Sequence, residues 1–305
     1  MSGAAIGIFK TGALALIGDI SASTTEHTST MNTVEGFFGV GAILGPAIVI
    51  ALLGRGVSWK WLYVVAAVVC VVLIALALCV EYPRSTRPVE QAVNLKQTAH
   101  MVKDPFALGF SLGAFLYVAV EAAVYVWMPT LLADYAGSLA ALAAYALSVF
   151  FLLRAGGRFL GAWMLARYDW TAVMALASFA ILTCFAGSMV GGPGVAVWLL
   201  PLSGLFMSVV YPTLNSKGIS CFPRHQHGAV AGVILFFTCA GAATGPLAMG
   251  AISDVFGHPR YGFVLATIFA CALHAGLLVN WIYQPAGSRL RQLDRSEYAG
   301  SLDAR

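Results

Sequence analysis

The chain has 305 residues, of which 60% are hydrophobic and 10% are charged, and its mean hydropathy is +0.84. Soluble domains carry roughly 25% charged residues, so this composition excludes an ordinary soluble protein and indicates an integral membrane protein. The net charge of +4 does not indicate nucleic-acid binding, because the basic residues fall between apolar runs rather than in one patch. Most of the six cysteines lie inside apolar runs, which argues against a disulfide framework.

Nine apolar stretches are long enough to cross a hydrocarbon core of about 30 Å, which takes about 20 residues of helix. In chain order, the predicted spans cover residues 2–19, 34–54, 60–80, 105–130, 139–160, 170–191, 195–216, 228–252 and 261–283. The fourth span opens at Asp104 and Pro105, a helix-start signal. The sequence therefore predicts an all-α membrane protein with about nine transmembrane helices.

Basic residues are distributed unevenly between the two sets of loops. One side holds only Arg55, Lys60 and Arg260. The other side holds Arg84, Arg87, Lys96, Lys103, Arg154, Arg158, Arg167, Lys217, Arg224, Arg289, Arg291, Arg295 and Arg305. Because positive residues mark cytoplasmic loops, this bias predicts that the loop 81–104 and the C-terminus are cytoplasmic, in a plasma or inner membrane. Nine spans then place the N-terminus outside.

A short internal repeat relates the second and eighth predicted spans. The segment GAILGP at 41–46 returns as GAATGP at 241–246. Equivalent helices thus stand six apart, which predicts two halves of six helices each. On this count the chain holds three helices of the first half (1–80), a central loop (81–104), a six-helix bundle (105–283) and a cytoplasmic tail (284–305). Three helices would be absent from the start.

Four segments carry a resemblance to a known family. They are MNTVEGFFGVGAILGP at 31–46, YVAVEAAVYVWMPTLL at 117–132, GLFMSVVYPTLNSKG at 204–218 and GAATGPLAMGAISDVFG at 241–257. They resemble the fifth, seventh, tenth and eleventh helices of the fucose-permease-like branch of the major facilitator superfamily, whose members are sugar:proton symporters. The resemblance covers essentially the whole chain, as helices four to twelve of a twelve-helix plan.

The resemblance implies a secondary active carrier of small polar, sugar-like solutes that works by alternating access of two bundles. It implies protons as the coupling ion and no cofactor. The chain departs from the branch at Lys10 and Thr11, where the symporters carry a carboxylate followed by Thr. It also lacks the Asp expected between Gly161 and Arg167. These departures weigh against proton coupling.

Other functions stay open at this point. A Gly-Pro pattern like that at 41–46 also marks drug:proton antiporters of the superfamily, so efflux is one alternative. A truncated membrane protein that does not transport, or that serves as an interaction partner, is another. An enzyme is not expected, because the sequence shows no metal-ligand pair at helical spacing, no nucleophile elbow and no phosphate loop.

Glu121 is the first candidate for substrate binding and proton coupling. A charge at the bilayer centre costs about 2.5–3.5 kcal/mol on insertion scales, so it normally faces a wet cavity or a partner. Tyr117 and Tyr125 stand four residues to either side, which predicts one polar stripe on the helix. Lys10, in the first span, could pair with Glu121 across the cavity or snorkel to the interface. The alternative for Glu121 is a purely structural hydrogen bond.

Polar residues in the seventh span provide further candidates. Tyr211 and Asn215 lie one turn apart, and rings with amides suit a polyhydroxylated ligand. Alternatively, Tyr211 and Pro212 mark a helix kink, where nearby polar groups form hydrogen bonds with the backbone carbonyls that lose their helical partners. Trp127 could line the outer end of the cavity or belong to an interfacial aromatic belt.

The remaining candidates concern packing and gating. The glycines and prolines of the repeat are Gly41, Gly45, Pro46, Gly241, Gly245 and Pro246. They predict close contacts between helices, or a bend in the helix that lets each half of the protein move relative to the other. Arg154 and Arg158 lie at the predicted cytoplasmic end of the fifth span. They could form a gate by pairing with a carboxylate on another helix, or serve as positive anchors that need no partner. A metal site at Cys221, His225 and His227 is not expected, because no second ligand cluster accompanies this short loop.

Overall fold

The computed structural model describes residues 2–21, 23–81, 98, 100–133 and 135–295, apart from some side chains in the first two helices. Most of the described residues belong to nine long helices. These are α1 (Ser2–Ile20), α2 (Thr24–Gly54), α3 (Trp61–Cys79), α4 (Pro105–Ala122), α5 (Ala146–Arg167), α6 (Trp170–Gly191), α7 (Pro193–Ser220), α8 (His227–Phe256) and α9 (Pro259–Tyr283). A shorter helix, α10 (Pro285–Leu293), follows α9.

Short-range chemistry sets several helix ends. The Asp104 carboxylate accepts hydrogen bonds from the backbone N–H groups of Phe106 and Ala107, at 2.8 and 3.3 Å, and so caps α4. The Ser23 hydroxyl accepts from the Glu26 N–H at 3.0 Å and caps α2. Gly257 ends α8 in the left-handed region, at φ 72°, where a side chain would be strained.

Seven helices of the described part of the chain are long and apolar enough to cross a membrane. They are α3, α4 with its continuation to Leu131, and α5 to α9, where the 3₁₀ turn Arg224–Gln226 leads into α8. The predicted all-α fold with several transmembrane helices is therefore confirmed, and the chain is a multi-pass integral membrane protein. The total of nine spans stays a prediction, as does the orientation. Arg84, Arg87, Lys96 and Arg305, which contribute to that orientation, lie outside the described residues.

Two predicted helix boundaries are wrong. Helix α2 begins at Thr24 rather than at 34, because its polar first turns pack against α7 instead of forming a loop. The predicted span 139–160 is divided into a short helix, Ala140–Ala144, and α5, which runs on to Arg167. Arg154 and Arg158 therefore lie eight and twelve residues inside α5, in its middle rather than at its end.

Helix α7 forms the centre of the molecule. Every residue from Met207 to Phe222 is buried, and α7 packs against α2, α4, α5 and α6. Helix α1 packs mainly on α8, and α2 packs mainly on α5 and α7. Both helices of the first half therefore contact helices of the second half. Helix α3 contacts α2 and has no buried residue. The seam between α1–α2 and α4–α8 is thus the interface between the two predicted halves.

Candidate functional site

A buried ion pair joins α4 to α5. The Glu121 carboxylate pairs with the Arg154 guanidinium, and both side chains are buried or nearly so. The Tyr117 hydroxyl lies 2.8 Å from Glu121 Oε1 and 2.9 Å from the Met207 carbonyl oxygen, so it can donate to either acceptor. Glu121 is therefore held by two groups on one side of the seam, and its charge is balanced by Arg154 rather than by Lys10.

A second buried ion pair crosses the seam. Arg158 on α5 has its Nη2 3.2 Å from Glu35 Oε2 on α2, and its Nη1 donates to the Glu35 carbonyl oxygen. Lys10 Nζ lies 3.8 Å from Glu35 Oε1. The hypothesis of a pair between Lys10 and Glu121 is therefore wrong in this structure, because Glu35 lies nearer to Lys10. Of the two readings for the arginines, pairing with carboxylates of other helices is the one that the contacts show.

Tyr211 connects the two ion pairs. Its ring stacks on Tyr117 with centroids 6.0 Å apart, and Lys10 Nζ lies 5.1 Å above the same ring. Five charged residues and two tyrosines thus form one continuous group, called here the central cluster: Lys10, Glu35, Tyr117, Glu121, Arg154, Arg158 and Tyr211. Three of its members are basic and two are acidic. The cluster draws on α1, α2, α4, α5 and α7, and therefore on both sides of the seam.

Tyr125 does not continue the predicted stripe as an α-helical neighbour. The residues Ala123–Trp127 form a π-helical turn, in which Tyr125 is half-buried. Pro129 follows four residues after Tyr125, and a proline ring clashes with the carbonyl of the residue four positions earlier, which explains the wider turn. The proline was the sequence signal for this change of register.

Two other candidates make contacts with helices. The Asn215 amide is buried and donates to the Tyr211 carbonyl oxygen at 3.2 Å, on its own helix. Trp127 is half-buried and its indole N–H donates to the Pro246 carbonyl oxygen at 3.3 Å. Trp127 thus packs on α8, next to Gly250.

The glycines of the repeat behave differently in the two copies. A Cβ at Gly241 would lie 2.5 Å from the Phe115 carbonyl oxygen, and one at Gly245 would lie 2.9 Å from the Ala119 Cα. The second copy therefore mediates close packing of α8 on α4, as its packing interpretation predicts. A Cβ at Gly41 or Gly45 would meet nothing within 4 Å. The side chain of Pro46 lies outside the described residues.

One end of the seam is held together by hydroxyl groups and a histidine. The Thr28 and Ser216 hydroxyl oxygens are 2.8 Å apart, and His27 Nδ1 lies 2.8 Å from the Ser220 hydroxyl. All four side chains are buried. This group, called here the polar seam, closes the α2–α7 contact where α2 begins and α7 ends. Sequence reasoning missed it, because the polar run 24–33 was taken as a loop.

The loop after α7 contains the residues considered for a metal. Burial raises the pKa of the Cys221 thiol to about 12, so this cysteine is protonated at neutral pH. His227 Nε2 lies 3.0 Å from the Phe222 carbonyl oxygen, as expected for a structural hydrogen bond. Neither group is arranged as an accessible metal ligand.

Comparisons with known proteins agree with this architecture. The profile of the Major Facilitator Superfamily matches residues 1–246. Over 236 residues the chain is 25% identical to a glucose/galactose transporter of Brucella abortus, covering 77% of this chain and 57% of that protein. Over 199 residues it is 25% identical to a TsgA homolog of Erwinia tasmaniensis, covering 63% of this chain and 48% of that protein. The chain thus spans about half the length of the curated relatives it matches.

Solved structures give the same fold. The E. coli fucose:proton symporter FucP superimposes with a TM-score of 0.73 at 17% identity, covering 88% of this chain and 72% of that chain. The human organic anion transporter MFSD10 superimposes with a TM-score of 0.66 at 16% identity, covering 88% of this chain and 67% of that chain. At such identities the likeness shows the fold alone. Together with the profile match, which extends over most of the chain, it confirms the predicted resemblance: the chain belongs to the Major Facilitator Superfamily.

Proposed function

We propose that this chain acts as a secondary active carrier of small polar, sugar-like solutes, with the central cluster as the place where solute and coupling ion act. The observation that carries the proposal is the position of the cluster. Its charges come from α1 and α2 on one side of the seam and from α4 and α5 on the other. Transporters built from repeats bind substrate at such an interface, near mid-membrane.

The chemistry of the cluster suits a polyhydroxylated solute. Carboxylates accept hydrogen bonds from hydroxyl groups, guanidinium groups donate to them, and tyrosine does both. The stacked rings of Tyr117 and Tyr211 provide an apolar face beside these polar groups. A sugar ring needs this combination, and two of the similar proteins carry sugars in their names. The sugar-like class is therefore proposed ahead of an efflux substrate.

Alternating access requires that one end of the seam opens while the other closes. In this structure the polar seam closes the end that the charge bias places in the cytoplasm. Opening there would break the Thr28–Ser216 and His27–Ser220 hydrogen bonds. The same opening would expose the central cluster to the cytoplasm.

Counterflow in proteoliposomes is the direct test of transport. We expect vesicles loaded with unlabelled galactose or fucose to accumulate the labelled sugar transiently, and vesicles without protein not to. An imposed proton gradient should raise accumulation if protons couple to transport. Saturable sugar counterflow would support the proposal. Its absence, in a chain shown to be folded, would favour the non-transporting alternative, and extrusion of cationic drugs without sugar counterflow would favour efflux.

A cross-link across the polar seam is expected to stop transport. With Cys at both Thr28 and Ser216, two sulfur atoms would stand where hydroxyl oxygens are now 2.8 Å apart, close enough for a disulfide of about 2.05 Å after a small adjustment. Oxidation should then reduce counterflow to the level of empty vesicles, and a reductant should restore it. The single variants T28C and S216C are the controls. Full counterflow in the oxidised, cross-linked protein would refute a moving seam.

A further inference from the structure

The charges of the central cluster do not cancel. Glu121 pairs with Arg154. Glu35 pairs with Arg158, which contacts both the carboxylate, at 3.2 Å, and the carbonyl oxygen of that residue. The fifth charged residue, Lys10, has its Nζ 3.8 Å from Glu35 Oε1, which is longer than a hydrogen bond. Lys10 is therefore the cation in excess.

The ammonium group of Lys10 has room for a further anion. Its side chain is 30% exposed, so a solute can reach it, yet most of the side chain is removed from water. Among the described residues, Glu35 is the only carboxylate that pairs with Lys10. An ammonium group carries three donors, and a charge withdrawn from water is costly unless an opposite charge balances it. Lys10 can thus bind a second carboxylate while it stays near Glu35.

Two aromatic rings lie next to this ammonium group. Lys10 Nζ is 5.1 Å from the centroid of the Tyr211 ring and 5.8 Å from that of the Phe38 ring. Tyr211 belongs to α7, whereas Phe38 lies on α2 and is exposed. Sites for small molecules combine such apolar faces with a few polar groups that fix the orientation of the ligand.

The Tyr211 hydroxyl is a second donor beside Lys10. It is buried and makes no hydrogen bond of normal geometry with any described residue. A buried hydroxyl without a partner costs free energy, which an acceptor on a solute would recover. Lys10 and Tyr211 come from α1 and α7, on opposite sides of the seam. An acceptor bound to both therefore contacts both predicted halves.

Two buried amide oxygens provide acceptors close to these donors. They belong to Asn215, one turn after Tyr211 on α7, and to Asn32, one turn before Glu35 on α2. Neither oxygen has a hydrogen-bond partner among the described residues. Both can accept from hydroxyl groups. The cluster thus offers a site for one negative charge together with sites for hydroxyl groups.

We propose that the solute bound at the central cluster is a sugar acid, which is a polyhydroxylated ring with one carboxylate. One carboxylate oxygen lies against Lys10 Nζ and the other accepts from the Tyr211 hydroxyl, while the ring lies beside Phe38. The single negative charge of the solute balances the excess charge of Lys10, which a neutral sugar would leave in place. This inference rests on the carrier function proposed above, and it names the class of solute.

Binding to the purified full chain in detergent tests the charge and the ring separately. The ligands are galacturonate, galactose, which has the same ring without the carboxylate, and acetate, which has the carboxylate without the ring. We expect galacturonate to raise the unfolding temperature at concentrations about ten to a hundred times lower than galactose, as for a hydrogen bond to a charged group. Acetate should have no effect. Equal effects of galacturonate and galactose, or of galacturonate and acetate, would overturn the proposal, as would no effect of galacturonate.

Counterflow in proteoliposomes separates this inference from the carrier function. Faster counterflow of galacturonate than of galactose at the same concentration would support both. Counterflow of galactose that equals or exceeds that of galacturonate would leave the carrier function intact and refute the sugar-acid class. Stabilisation by galacturonate without counterflow of either solute would leave the binding site intact and refute the carrier function.

Variants of Lys10 identify the group that binds the carboxylate. K10Q removes the excess charge, and Glu35 keeps its pair with Arg158, so the affinity for galacturonate should fall to that for galactose. K10R keeps the charge and should restore most of the preference. K60Q is the matched control, because Lys60 is exposed at the start of α3. A folded K10Q protein that still prefers galacturonate would show that Lys10 does not bind the carboxylate.

Discussion

Replacing Glu121 with Gln is expected to lower the free energy of unfolding by about 3–5 kcal/mol, because Arg154 would keep a buried charge without its carboxylate. The Arg154 side chain is only 14% exposed and its Nε has no hydrogen-bond partner among the described residues. Water therefore cannot readily replace Glu121. Thermal unfolding of the purified protein in detergent measures the effect.

Removing both charges of this pair should recover most of the loss. The double variant E121Q/R154Q leaves no uncompensated charge, so we expect its unfolding temperature to lie much closer to that of the unsubstituted protein. E81Q is the control for the substitution itself, because Glu81 is exposed at the end of α3. An E121Q variant as stable as E81Q would mean that the ion pair does not stabilise the fold. If the loss of stability in the double variant equals the sum of the two single losses, the charges are not coupled.

The same double variant separates stability from transport. Buried ion pairs often contribute little net stability compared with neutral groups of the same size. If the double variant is folded, a loss of uphill accumulation with retained counterflow would assign the pair to ion coupling. Loss of both would assign it to solute binding.

The sequence predicted the apolar helices better than the polar contacts. Asp104-Pro105 and the glycines around 191–194 mark helix ends by local chemistry, so α4, α6 and α7 begin or end close to their predicted limits. The start of α2 was missed because Thr24–Asn32 is polar. Its partners lie far away in the chain: Ser216 and Ser220 of α7 bind Thr28 and His27, and Asp294 accepts two hydrogen bonds from Thr24. Such long-range pairing leaves no periodic signal in one sequence.

The central cluster was predicted in part. Glu121, Tyr117, Tyr211 and Lys10 were named because polar groups inside apolar spans stand out. Glu35 was overlooked, although it lies within a predicted span and pairs with both Lys10 and Arg158. The partners of Glu121 and Glu35 could not be derived, because they depend on which faces of α2, α4 and α5 meet. The assignment of these residues to substrate or ion binding stays a proposal.

Replacing Gly241 with Ala is expected to destabilise the protein, whereas the same change at the equivalent Gly41 is not. A Cβ at 241 would lie 2.5 Å from the Phe115 carbonyl oxygen, so the backbones of α4 and α8 must separate, and overpacking of this kind costs about 1–3 kcal/mol. At Gly41 the space is open, and Ala favours a helix over Gly by up to about 1 kcal/mol. Unfolding of G41A and G241A in the same detergent measures the difference.

The comparison of these two glycines also tests what the repeat means. Both copies have two glycines and a proline at the same spacing, yet of Gly41 and Gly241 only Gly241 faces the backbone of a neighbouring helix. The motif therefore permits close packing but does not produce it. Whether the glycine contributes to stability depends on whether a neighbouring helix packs against it. If G41A proves as destabilising as G241A, the α2 face must be covered in the membrane by another helix. If G41A is neutral, its glycine contributes nothing to the stability of the chain as it stands.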